Sequence, residues 1–84
     1  MVRAKFKVES YETRLEGKQG SEELRSVKLV AVSGDSEENK KFFRWTPNGR
    51  IDIGILNPEA WKQLPLGAEV FVDFTVVENP NVSV

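Results

Sequence analysis

The 84-residue sequence contains no cysteine and no histidine. Without cysteine there is no disulfide to staple a small fold and no thiol nucleophile. Without histidine, Ser-His and Cys-His arrangements cannot exist, and a transition-metal site would rest on carboxylates alone, a poor ligand set for zinc. There is also no P-loop and no GxGxxG. Glu37 and Glu38 are adjacent, so on a helix they diverge and do not form a catalytic pair. The expectation is a protein that is not an enzyme and uses no cofactor or metal.

No apolar run approaches membrane-spanning length, and Met1 leads directly into alternating Val2, Arg3, Ala4, Lys5 and Phe6. A soluble, cytoplasmic protein with no membrane partner is expected. Eighty-four residues suffice for one small domain, whose core is marginal for its size. With disulfides and metals excluded, self-association is the available remedy. A homo-oligomer is therefore expected.

Net charge is −1, which argues against a bulk electrostatic grip on DNA. The charge is unevenly spread: residues 1–50 hold 11 Lys and Arg against 8 acids, and residues 51–84 hold one against 5. Such asymmetry can give a basic face, help subunits meet, or simply reflect solvated strand faces.

Period-2 patterning marks the strands. Val2, Ala4, Phe6 and Val8 alternate with Arg3, Lys5, Lys7 and Glu9, and the pattern can run on through Tyr11 to Leu15. After the polar, glycine-flanked loop 16–21, a second strand spans Leu24 to Val32, with Val27, Leu29 and Ala31 on one face. Val30 and Val32 make its far end apolar on the other face too, and the following helix is the expected cover. Asp35 or Ser36 caps that helix, which ends near Arg44. Thr46-Pro47-Asn48-Gly49 then turns the chain, with Asn-Gly supplying a left-handed position. Arg50 to Ile55 is a third strand with Ile51, Ile53 and Ile55 inward. Asn57-Pro58 starts a second helix bearing Trp61 and Leu64, and Ala68 to Val77 is the last strand. The order β-β-α-β-α-β implies an α+β fold: a small antiparallel twisted sheet or partial β-barrel with two short helices, one domain over residues 1–78. Residues 79–84 are expected to form a flexible tail. Apolar Val30, Val32, Phe71 and Val77 on the second sheet face are candidates for a subunit contact.

Residues 39–50 carry the densest set of ligand-binding groups. Lys40, Lys41, Arg44 and Arg50 offer donors to phosphate, and Phe42, Phe43 and Trp45 offer flat faces to bases. Asn39, Thr46 and Asn48 add directional hydrogen-bonding groups. Phe42 and Trp45, three apart on a helix, share a face that Phe43 does not, so at least one of the three aromatics belongs to the core. The candidate ligand site is Asn39, Lys40, Phe42, Arg44, Trp45, Thr46, Asn48 and Arg50. A second cluster, Arg3, Lys5 and Lys7 with Lys28 and Arg25 on the hairpin partner, could be a single-strand nucleic-acid track or an ordinary solvated face.

Several stretches together resemble a group of small tailed-phage proteins: Ser36-Glu37-Glu38-Asn39-Lys40, Phe42, Thr46-Pro47-x-Gly49-x-Ile51, Asn57-Pro58, and Gly67-x-Glu69-Val70-Phe71-Val72-Asp73-Phe74. The likeness runs from the Val2–Phe6 strand to Phe74 and points to the anti-CBASS sponge class. It implies an oligomer, with a tetramer favoured, acting in the bacterial host cytoplasm. Its partner would be a cyclic dinucleotide or related nucleotide signal of bacterial defence, sequestered without cleavage. Polymeric nucleic acid is the less favoured partner. The alternatives are a single-stranded nucleic-acid-binding module and a protein that inhibits a host factor by binding it.

Overall fold

Strand β1 (Val2–Glu16) is the longest element, and the other strands assemble along it. In the computed structural model, which describes residues 1–34 and 36–78, four antiparallel strands form one open sheet in the order β3-β2-β1-β4. Strand β2 (Glu22–Ala31) returns from β1 through a tight turn in which Gly17 and Gly20 adopt the left-handed φ that glycine tolerates. Strand β3 (Arg50–Ile55) extends the sheet beyond β2, and β4 (Glu69–Phe74) closes back along the first half of β1. Helix α1 (Glu37–Phe43) follows β2, and helix α2 (Pro58–Trp61) follows β3. The α+β expectation holds, with an open sheet rather than a barrel. The tail over 79–84 and the alternative cap Asp35 lie outside the described residues.

One face of the sheet carries the core: Ala4, Phe6, Val8, Val27 and Leu29 are buried, with Phe43, Ile51, Ile55, Leu64, Val70 and Val72 packed against them. Burying Phe6 or Leu29 contributes about 2–3 kcal/mol each. This small cluster must hold the sheet, the helices and a long hairpin together.

The even-odd alternation of β1 does not persist along the strand. The register slips between Val8, opposite Leu29, and Ser10, opposite Lys28. This bulge leaves Glu9 as the extra residue, so Tyr11 comes opposite Val27 and lies on the core face. A strict alternation would have placed Tyr11 beside Lys7.

The ends of α1 are set locally. Ser36 caps it by accepting from the Asn39 N–H at 3.3 Å, and Glu37 and Glu38 lie in the first turn with Lys40 and Lys41 in the last. Arg44 ends it at φ 70, so the left-handed residue after the helix is Arg44, not the Asn48-Gly49 pair expected from sequence. The reversal falls where the helix terminates, and Gly49 instead sits against the rings of Phe6 and Phe43. Those two rings place α1 over the core face. Val30 and Val32, on the opposite face, stay half-buried rather than covered by the helix.

Candidate functional site

The expected site residues divide among five positions. Asn39 is the deepest, 1% exposed. Its Oδ1 accepts from the Lys5 N–H at 2.6 Å, and its Nδ2 donates to the Lys5 carbonyl at 2.8 Å and the Val32 carbonyl at 2.9 Å. β2 leaves the sheet at this level, and the Asn39 amide continues the ladder along β1 like a substitute peptide group. With its oxygen and both N–H groups used this way, Asn39 is a structural latch and offers nothing to a ligand. Lys40 lies on the helix surface, 3.4 Å from Glu37.

Phe42 borders a groove of about 350 Å³ between α1 and the start of β1, lined also by Met1, Val2, Arg3, Glu38 and Lys41. Its ring contacts Phe43 at 4.8 Å and Phe74 at 5.8 Å between centroids, leaving it 38% exposed. Phe43 is the aromatic taken into the core.

Arg44 and Trp45 stand at the end of α1. Trp45 is 76% exposed, with the Arg44 guanidinium 5.2 Å from the centre of its ring. Thr46 beside it is exposed. Asn48 and Arg50 face a separate open cleft of about 530 Å³ with Val30, Ala31, Pro47 and Gly49. The 39–50 segment thus forms no single pocket in one chain. It presents an aromatic-cationic knob flanked by two clefts.

Two of the three cations on the basic face of β1 are paired with acids of β4. Arg3 donates to Asp73 through Nε at 2.6 Å and through a terminal nitrogen at 3.0 Å, and Lys5 lies 3.2 Å from Glu69. The hydrogen bond from Arg3 holds the Asp73 carboxyl below its ordinary value, and the same bond raises the Arg3 guanidinium. Both cations lie over the ring of Phe71, at 4.7 and 5.9 Å. The aromatic of this face is therefore Phe71, which sequence reasoning assigned to a subunit contact. Cross-strand charge complementarity between 3–5 and 69–73 was the available signal; the pairing of β1 with β4 was not.

Arg25 does not join the basic face. It shares the parity of Val27 and Leu29, so it lies on the core face, its guanidinium carbon 4.3 Å from the Tyr11 ring and 3.7 Å from the Trp61 ring. Arg25 Nε and Trp61 Nε1 are buried without hydrogen-bond partners among the described residues. The stack fastens α2 to the sheet, and Trp61 also lines a cleft of about 410 Å³ with Leu56 and Pro58. The same cleft runs past Ser21, Glu22 and Glu23, whose acids repel an anion.

Among the described residues no group of His, Cys, Asp and Glu could hold a metal ion, and no helix is long and apolar enough to cross a membrane. Comparison with known proteins adds no relative: no family model, no curated protein and no solved structure matches this chain.

Proposed function

We propose that this protein is a non-catalytic binder of anionic, base-bearing small molecules, which sequesters the cyclic nucleotide signals of bacterial defence on behalf of a phage. The observation that carries this reading is Trp45, an indole left 76% exposed beside a stacked Arg44 guanidinium. Leaving so large an apolar ring in water gains nothing for the fold. A base stacked on the indole and a phosphate held by Arg44 would use both groups. Arg50 and Asn48 in the neighbouring cleft supply further donors.

A sponge must outbind a host receptor, which at nanomolar strength means about −12 kcal/mol. A knob and two open clefts on one chain are too shallow for that, so the reading includes a homo-oligomer that closes the site between subunits.

The test is to incubate the protein with a panel of cyclic dinucleotides, remove free ligand, denature by heat and analyse what is released. Intact ligand from wild type, and none from a folded Trp45→Ala variant, is the expected result. Recovery of cleaved ligand, or retention of ligand by Trp45→Ala, overturns it.

The apolar end of the sheet favours a second reading, a protein partner. Met1, Val2, Phe74, Val76 and Val77 are all exposed there, around the cleft between the start of β1 and the end of β4. That reading expects a stable host-protein complex in a pull-down that survives Trp45→Ala and is lost with Phe74→Asp. The nucleic-acid track is disfavoured because Arg3 and Lys5 are already paired with acids.

A further inference from the structure

The sheet ends in β3 on one side and β4 on the other, and among the described residues neither outer edge meets a further strand. Ala31 N–H donates to the Gly49 carbonyl at 3.0 Å, and Leu29, Val27 and Arg25 stand opposite Ile51, Ile53 and Ile55. In antiparallel alternation the isoleucine peptide groups therefore turn toward β2, and those of Arg50, Asp52 and Gly54 turn outward. By the same alternation, the Val8 N–H to Ala68 bond sends the peptide groups of Glu69, Phe71 and Asp73 outward from β4.

An open edge is a template for another strand unless proline, lysine or a bulge guards it. β3, Arg-Ile-Asp-Ile-Gly-Ile, has neither proline nor lysine, and its pairing with β2 runs without a register shift. Ile53 is 42% exposed at its centre although it points to the core face. Val27 covers it from one side, and the other side is open.

Of the two-fold axes at Asp52, Ile53 and Gly54, the central one makes the strand complementary to itself. A two-fold axis at Asp52 would set two carboxylates directly opposite, which is unfavourable. An axis at Gly54 would set Ile51 opposite Asn57. An axis at Ile53 sets Ile53 opposite Ile53, Ile51 opposite Ile55, and Asp52 opposite Gly54, so every isoleucine of the strand meets an isoleucine. The outward peptide groups of Asp52 and Gly54 then form a hydrogen-bonded pair. On β4 the corresponding operation at Phe71 sets Glu69 opposite Asp73.

The bulk dimensions fit a missing partner. The chain exposes 6647 Å², against about 5,000 Å² for a compact monomer of this mass. Even wholly exposed, residues 79–84 would hold about 900 Å² of this. The remaining excess is close to the roughly 800 Å² that each partner buries in a standard interface. The radius of gyration is 15.6 Å, where a compact chain of this length has about 12 Å.

We propose that β3 is the dimerisation edge: two copies of this chain pair antiparallel about a two-fold axis at Ile53, making one continuous sheet of eight strands. The same register sets Arg50 opposite Leu56 of the second copy and brings the Asn48–Arg50 cleft beside the start of its α2. The two copies would thus close the cleft that one leaves open. Dimerisation is measured without ligand, so its failure and that of the nucleotide reading are distinguishable.

Sedimentation and light scattering of the full chain should give twice the 9.5 kDa chain mass, with the Asp52 and Gly54 amides slow to exchange. Ile53→Lys should halve the mass and release those amides while circular dichroism keeps the strand signal. Because the chain has no cysteine, a single Ile53→Cys should form a disulfide-linked dimer under mild oxidation, and a single Ile51→Cys should not. A monomer at every concentration, a dimer with freely exchanging Asp52 and Gly54 amides, or equal cross-linking by Ile51→Cys overturns the proposal.

Discussion

At one end of the sheet α1 is held by the Asn39 amide, which makes three hydrogen bonds to backbone groups of β1 and the end of β2. At the other end α2 is held by a guanidinium stacked between two rings, with two buried donors unpaired among the described residues. Both anchors are polar side chains on a mostly apolar face, yet their energetics differ. The amide replaces water bonds one for one in a buried position against β1. The guanidinium gains dispersion and ring-charge attraction while its Nε loses water without compensation. The α1 end is therefore specified by hydrogen-bond geometry, and the α2 end by shape.

Substitutions can break this contrast, and the largest effect belongs to Asn39. Asn39→Ala takes the partner from the Lys5 N–H and the Val32 carbonyl, while the Lys5 carbonyl keeps its bond from the Val32 N–H at 3.0 Å. It should cost about 3 kcal/mol, read as a lower urea midpoint with faster exchange of the Lys5 amide. Asn39→Asp, which turns an acceptor toward two carbonyls, should cost at least as much. At the other end, Trp61→Ala should cost about 2 kcal/mol through lost stacking and burial. Trp61→Phe keeps a ring over Arg25 and removes one unpaired donor, so its midpoint should stay near wild type. A large loss in Trp61→Phe would mean that the indole N–H is bonded after all, and the contrast between the two ends would fail.

A smaller effect should come at Arg44, the non-glycine residue at φ 70 where α1 meets the exposed Trp45. Arg44→Gly should raise stability by about 1 kcal/mol by relieving the left-handed backbone, while lowering the retention of cyclic nucleotide. Strain kept where a ligand would sit is the expected signature of a functional residue. The smallest effect concerns the solvated face. The hydrogen bond from Arg3 holds the Asp73 carboxyl below its ordinary value. Its contribution is thus fully present above that value and fades as pH falls through the depressed one. Asp73→Asn should flatten the acid limb of the urea midpoint against pH, and added salt should shrink the difference between the two proteins.

Much of the fold was legible because it follows local rules. Ser36 and Asn57 each precede a helix and cap it, and the isoleucines of β3 alternate onto one face. The candidate site was less legible. Asn39 read as a ligand-binding group because a short polar side chain on a helix looks the same in sequence whether it meets solvent or the edge of a strand. Tyr11 departs from the alternation for a different reason: the bulge after Val8 shifts parity, and nothing in Glu9 announces it. Arg25 needs no bulge, since it simply shares the parity of Val27 and Leu29. The basic strand looked like a track because its acids arrive some 70 residues later, on β4.

The sequence by itself determined the α+β class, the strand faces up to the bulge, the Asn57 start of the second helix, the Asp35-Ser36 start of the first, and the lack of histidine and cysteine chemistry. Each of these depends on residues within a turn or two of one another, or on composition alone. Only the tertiary structure decided that Asn39 completes the β1 ladder, that Arg3 and Lys5 are neutralised, that Arg25 stacks under α2, and that β3 is an outer strand with Ile53 uncovered. Those outcomes depend on which strands become neighbours, a choice made by packing among segments far apart in the chain, which local periodicity cannot encode.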